Sequence, residues 1–167
     1  TVIMMSSEYR RARVFAFLDP FADPLGDGYQ VIQSLYAIGS GGLFGLGLGQ
    51  SRQKFLYIPE PQNDFIFAIW CEETGFVGAI SVILLFAFLV YRGIKIAMNA
   101  EDKEGTLIAV GIISLVALQV MMNIAVVTSS MPVTGIPLPF FSYGGTALLI
   151  IMSSMGIMMN ISKRSSK

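Results

Sequence analysis

Histidine is absent from this chain of 167 residues, and cysteine occurs once, at Cys71. Without histidine, the common zinc sites, imidazole acid–base pairs and every Ser-His-Asp device are excluded. A single thiol excludes an internal disulfide and any thiolate cluster. Charge is scarce as well. Charged residues make up 13% of the chain, about half the usual ~25%, and between Gly105 and Ser162 there is no Asp, Glu, Lys or Arg. A soluble fold could not cover itself with so little charged surface, so this run belongs in lipid. Net charge is zero and no basic run carries interleaved aromatics, which excludes the usual footprint of a nucleic-acid partner. Whatever chemistry occurs is left to carboxylates, Lys or Arg, Tyr, or a metal held by oxygen ligands.

What is present organises the chain as an all-α, polytopic membrane protein with about three transmembrane helices and a large outer loop. The opening Thr1-Val2-Ile3-Met4-Met5 lacks the ordered regions of a signal peptide. It reads as the end of an upstream hydrophobic segment in a larger protein. Residues 1–63 are expected to form an extracytoplasmic loop with a short interfacial helix. Within it, Asp19 to Gly28 is dense in turn residues. Tyr29 to Ile38 then spaces Val31, Ile32, Leu35, Tyr36 and Ile38 as an amphipathic helix. The glycine-rich run from Gly39 to Gly49 has no Gly-Lys-Ser/Thr ending and no preceding strand, so its likeness to a phosphate loop is superficial. A turned interfacial loop and a ligand-contacting loop both stay open for it.

Residues 64–98 are expected to form an interfacial and transmembrane helix, followed by a cytoplasmic turn at 99–104. A second span covers 105–127, an outer re-entrant loop 128–142, a third span 143–162, and a cytoplasmic tail 163–167. Each span suffices for a hydrocarbon core of about 30 Å. Arg92, Lys95 and Lys103 flank the turn, and Lys163, Arg164 and Lys167 close the chain. The positive-inside rule therefore places turn and tail in the cytoplasm, although Arg10, Arg11 and Arg13 run against it.

Three stretches could carry chemistry. Pro59 to Ala68 puts Glu60 and Asp64 at the outer edge of a membrane helix. The positive end of the helix dipole favours an anionic Asp64, which could accept a proton, hold a divalent metal, or simply cap the helix. Glu72 and Glu73 lie about 12 Å further along at ~1.5 Å per residue. They either face a cavity or stay wet along the interface. Finally, Pro132, Pro137 and Pro139 forbid a helix in the uncharged segment 128–146. Irregular backbone at membrane depth must be buried in protein or line a cavity. The expectation is a re-entrant loop presenting Thr134, Ser142 and Tyr143, with an ordinary hairpin as the alternative.

Taken in order, these stretches resemble the SEDS (shape, elongation, division and sporulation) family, which comprises FtsW, RodA and SpoVE. The residues that carry the likeness are Asp19-Pro20-Phe21-Ala22-Asp23-Pro24 with Gly28-Tyr29-Gln30, Gly45-Leu46-Gly47-Leu48-Gly49, Pro59 through Ala68, and Glu72 to Gly78. Asn123 and Met131 through Gly145 complete it. Thr146-Ala147 departs mildly from the usual Ser-Ser, and the general character leans to the FtsW/SpoVE branch. The resemblance implies a fold of about ten helices, of which this chain holds the last three. It also implies a peptidoglycan glycosyltransferase in the bacterial cytoplasmic membrane that polymerises lipid II at the outer face, for division, shape or sporulation. A flippase of the lipid-linked precursor is the rival reading.

Asp64 matches the family's essential outer-loop aspartate and is the expected catalytic residue and candidate metal ligand, with Mg or Mn as the ion. Arg52, Lys54, Glu60, Glu73, Thr134, Ser142 and Tyr143 are the expected substrate contacts. The implied partners are lipid II, a class B penicillin-binding transpeptidase, and other divisome or elongasome membrane proteins.

Overall fold

Apolar side chains at helical spacing dictate the architecture, seen in a computed structural model that describes residues 15, 17–22, 28–51 and 64–165. Helix α1 (Tyr29–Gly41) buries Val31, Ile32, Ser34 and Ala37 and packs on the long helix α2 (Ile66–Met98). The Ser34 hydroxyl donates to the Val127 carbonyl at 3.2 Å, tying α1 to the end of helix α3 (Lys103–Val127). Asp102 caps α3, its Oδ1 accepting from the Gly105 amide at 3.1 Å. Helix α4 (Gly145–Ser165) completes the set.

Helix α3 shows why these elements pack as they do. Gly105, Ala109, Ile113, Val116, Val120, Asn123 and Val127 are buried and recur every three or four residues, the period of a single helix face. That stripe meets α2, and the approach is close. A methyl group on Gly93 would lie 2.5 Å from the Ile113 side chain. The opposite faces carry exposed Leu107, Leu115, Leu118 and Met121 on α3, and Leu149, Ile150 and Met152 on α4. Water would penalise such a surface and lipid does not. Helices α2, α3 and α4 are each long and apolar enough to cross a membrane.

Helix α2 is not one continuous helix. Gly75 sits at φ 68°, ψ −166° and breaks it. Phe76–Met98 alone is long enough to cross a core of about 30 Å. The shorter Ile66–Thr74 piece then forms a half-helix at its outer end. A break frees backbone groups, and the glycine-rich run from Gly42 to Gly47 takes four of them. Leu46 and Gly47 amides donate to the Glu72 and Glu73 carbonyls, both at 3.0 Å. Phe76 and Val77 amides donate to the Gly42 and Leu43 carbonyls at 2.9 and 3.2 Å. Backbone near lipid requires such partners. Glycine is obligatory at the splice because a methyl on Gly45 would lie 2.1 Å from the Glu73 carbonyl oxygen. This run therefore binds a helix, with its amides spent on protein carbonyls.

Between α3 and α4, residues 131–144 follow an irregular path. The segment folds back on protein, which gives its irregular, uncharged backbone cover. Leu138 is buried, and Phe141 stacks edge-to-face on Trp70 of the half-helix, centroids 5.8 Å apart. Phe140 is held at φ 66°, a left-handed conformation that costs a bulky residue energy.

Candidate functional site

Asp64 stands immediately before the half-helix of α2. The N-cap position falls on Phe65. The Asp64 carboxylate lies beside the irregular segment 131–144. A methyl on Gly135 would sit 3.6 Å from Asp64 Oδ2, and Gly135 is at φ 71°. The loop thus reaches Asp64 with its backbone, at a position where glycine gives both the conformation and the clearance.

What brings the two together is Asn123, a side chain 1% exposed on α3. Its Nδ2 donates to the Asp64 carbonyl at 2.9 Å and to the Ile136 carbonyl at 2.8 Å. The reversed amide would set Oδ1 against two carbonyl oxygens, so the orientation is fixed by chemistry. Oδ1 then meets no donor among the described residues. One buried amide holds the root of the outer-loop aspartate and the re-entrant loop in register.

Glu72 is 1% exposed and is the one charged side chain buried among the described residues. Its Oε2 accepts from Ser51 Oγ at 2.5 Å. Glu73 is half-buried, with Oε1 unpartnered among the described residues. Glu72 is thus withdrawn from water, and Glu73 partly so. Both sit at the splice, where their own carbonyls accept from the glycine run.

The remaining expected contacts divide. Thr134 is exposed beside Gly135, on the strip of loop that meets Asp64. The Ser142 Oγ accepts from the Leu138 amide at 2.7 Å. Its oxygen closes the loop's own turn and lines a small cavity of about 140 Å³ with Gln119, Leu138 and Ile151. Tyr143 is 80% exposed. Arg52, Lys54 and Glu60 lie outside the described residues. Sequence reasoning did not single out Ser51 or Gly135 as site residues, and it used Asn123 only as part of a motif.

A divalent cation finds no ready-made cage. Among the described residues no three of His, Cys, Asp and Glu come together. A magnesium-type ion needs less than that. It commonly takes one or two carboxylates and completes its shell with substrate phosphates and water. Asp64 fits such a role as a single protein ligand. A cleft of about 650 Å³ lies at the opposite end of the spans against Asp102 and Arg164 and does not include Asp64.

Comparison with known proteins places this geometry. The profile of the FtsW/RodA/SpoVE family, cell cycle proteins, matches residues 1–167. The chain is 57% identical over 163 residues to stage V sporulation protein E of Bacillus subtilis (strain 168), covering 98% of this chain and 44% of that protein. Identity to the probable peptidoglycan glycosyltransferase FtsW of Geobacter sp. (strain M18) is 46% over 162 residues, 97% of this chain and 44% of that protein.

Among solved structures, one is described as "Structural coordination of polymerization and crosslinking by a peptidoglycan synthase complex". It superposes with a TM-score of 0.76 at 33% identity, over 99% of this chain and 45% of that one. RodA of Thermus thermophilus, as an Asp-to-Ala mutant, gives a TM-score of 0.62 at 31% identity, over 80% of this chain and 40% of that one. The chain thus spans less than half the length of these relatives. With the family profile matched over its whole length, the chain belongs to the FtsW/RodA/SpoVE family.

Proposed function

We propose that the protein containing this chain polymerises lipid II into glycan strands at the outer face of the bacterial cytoplasmic membrane, as a peptidoglycan glycosyltransferase. The observation that carries the reading is the Asp64 carboxylate held against Gly135 of the re-entrant loop by the Asn123 clamp. The names of the FtsW relatives support the activity, and the synthase complex among the structural neighbours supports a class B penicillin-binding transpeptidase as partner. The cations at the α2–α3 turn and after α4 support a cytoplasmic C-terminus.

In this reading Asp64 takes the proton from the acceptor sugar hydroxyl. The hydroxyl oxygen attacks the anomeric carbon of the donor with inversion, and the bond to the lipid pyrophosphate breaks. A positioned base of this kind contributes roughly 10²–10⁴-fold. Arg52 and Lys54 are assigned to the departing pyrophosphate, whose charge they would balance. A divalent cation, Mg or Mn, would be held by Asp64 with Glu60 as a second candidate ligand, and would supply charge neutralisation to the phosphates. Glu73, Thr134, Ser142 and Tyr143 are kept as candidate substrate contacts, Thr134 with the best placement.

The test uses the full-length protein with its transpeptidase in liposomes and labelled lipid II. Wild type should make polymer, and Asp64→Asn, which keeps the volume but not the base, should lose it while remaining folded. Chelation should silence the wild type and added Mg should restore it. Polymer at the normal rate from Asp64→Asn would remove Asp64 from the chemistry. Movement of lipid II between leaflets without polymer from either protein would replace the enzyme by a flippase.

A further inference from the structure

The break at Gly75 raises a mechanical question: what stops the half-helix Ile66–Thr74 from turning relative to the span below it? A continuous helix resists rotation through its whole ladder of bonds. Here four backbone bonds to the glycine run replace that ladder at the junction. Each is a single donor–acceptor contact between main chains, and a short row of them leaves the roll of the half-helix softer than an unbroken turn would. Among the described residues, two side-chain contacts brace this junction, one across the break and one from the end of the glycine run. Trp70 Nε1 donates to the Gly78 carbonyl at 3.1 Å, past the break. The Ser51 hydroxyl, 2% exposed, donates to the buried carboxylate of Glu72. A helix that needed only to pack there would carry an apolar residue. Burying a carboxylate is costly unless hydrogen bonds compensate it, and a leucine would fill the volume without that cost.

We propose that Ser51 is a positioning residue for Asp64. Its hydrogen bond to Glu72 fixes the roll of the half-helix, and with it the direction in which Asp64 meets Gly135. Ser51 holds the half-helix at its inner end while Asn123 holds the Asp64 carbonyl at its outer end. Neither residue touches the reacting atoms in this arrangement. The inference rests on reading Asp64 as the general base.

The experiment uses the full-length protein with its transpeptidase in liposomes, labelled lipid II as substrate, and the variants Ser51→Ala, Ser51→Thr and Ser51→Cys. Misplacing a base by a fraction of an ångström to an ångström costs turnover, so Ser51→Ala should lower kcat roughly 10- to 100-fold with KM within about twofold. Threonine keeps the hydroxyl and should restore turnover; cysteine keeps the size, donates weakly, and should not. It also serves as the test case if the alanine variant does not fold. A second readout does not depend on activity. Fluorotryptophan at Trp70, its ¹⁹F line assigned by its loss in Trp70→Phe, should shift or split in Ser51→Ala and return in Ser51→Thr. Normal kcat in both Ser51→Ala and Ser51→Cys, or an unmoved ¹⁹F line, overturns the proposal. A wild type that makes no polymer removes the role toward Asp64 together with the base itself. The ¹⁹F line then still decides whether Ser51 holds the half-helix.

Discussion

Asn123 donates one amide hydrogen to the carbonyl of Asp64 and the other to the carbonyl of Ile136, at 2.9 and 2.8 Å. Its partners lie 59 and 13 residues away in sequence, so one side chain on α3 joins three parts of the chain. Losing it strands two carbonyls. Asn123→Ala is expected to cost about 1–3 kcal/mol of stability, read as a lower melting temperature in detergent, and to reduce polymer yield. Asn123→Asp should be no milder, since a carboxylate of the same shape cannot donate. An aspartate variant as stable as wild type would show that the amide hydrogens are not what binds these segments.

Gly135 separates an effect on chemistry from an effect on folding. A methyl there would approach Asp64 Oδ2 at 3.6 Å, an ordinary contact distance, but on backbone at φ 71°. The strain of a left-handed alanine is about 1–2 kcal/mol. Gly135→Ala should therefore lower the melting temperature modestly. Its loss of polymerisation should be larger than that destabilisation explains, because the methyl occupies the strip beside the carboxylate. Equal activity per folded molecule would mean that substrate does not use this strip.

The glycines of the splice should rank by what a methyl would meet. At Gly45 it would lie 2.1 Å from the Glu73 oxygen, and at Gly75 2.4 Å from the Gly45 nitrogen, both on positive φ. Neither neighbour can move without opening the junction. Gly45→Ala and Gly75→Ala are expected to be among the most damaging single changes, above about 3 kcal/mol. Gly39 is helical with nothing within 4 Å, so Gly39→Ala should be neutral or stabilise by about 0.5–1 kcal/mol. Melting temperatures of the three variants in one detergent settle the order.

Trp70→Phe removes a donor and keeps a ring. The bond to the Gly78 carbonyl is lost, at about 1 kcal/mol, while the edge-to-face contact with Phe141 can persist. Trp70→Ala loses both and should cost about 3–5 kcal/mol. A phenylalanine variant as unstable as the alanine one would mean that the bridge across the break, rather than ring packing, carries the energy.

The spans and the amphipathic α1 were legible because each writes a local signal into the sequence: a chargeless run, or apolar residues at helical spacing. The break at Gly75 was not: Glu72, Glu73 and Thr74 interrupt the apolar run just before it, but a helix can carry such residues and one glycine does not mark a bend. The glycine run showed its conformational freedom, yet its purpose lay in carbonyls some thirty residues later. Asn123 falls on the buried stripe of α3, where periodicity asks for an apolar residue, and the partners that explain it are distant in sequence. Ser142 was expected to face a pocket; it does line a small cavity, and its oxygen also accepts from the Leu138 amide. A hydroxyl four residues from a buried leucine carries no mark of which partner it will choose. Asp64 was found through the motif around it, and its orientation toward Gly135 came only with the fold.

The splice at Gly75 also has a consequence under load. Its four hydrogen bonds run between segments distant in sequence, and Gly45, in the middle of the run, lies hard against the Glu73 carbonyl. Pulled on from outside, the loop would not peel away bond by bond. It would hold until the junction parted at once, and it would then release the half-helix and Asp64 along with it. A loop and span that yield only together keep Asp64 in place up to a single threshold force.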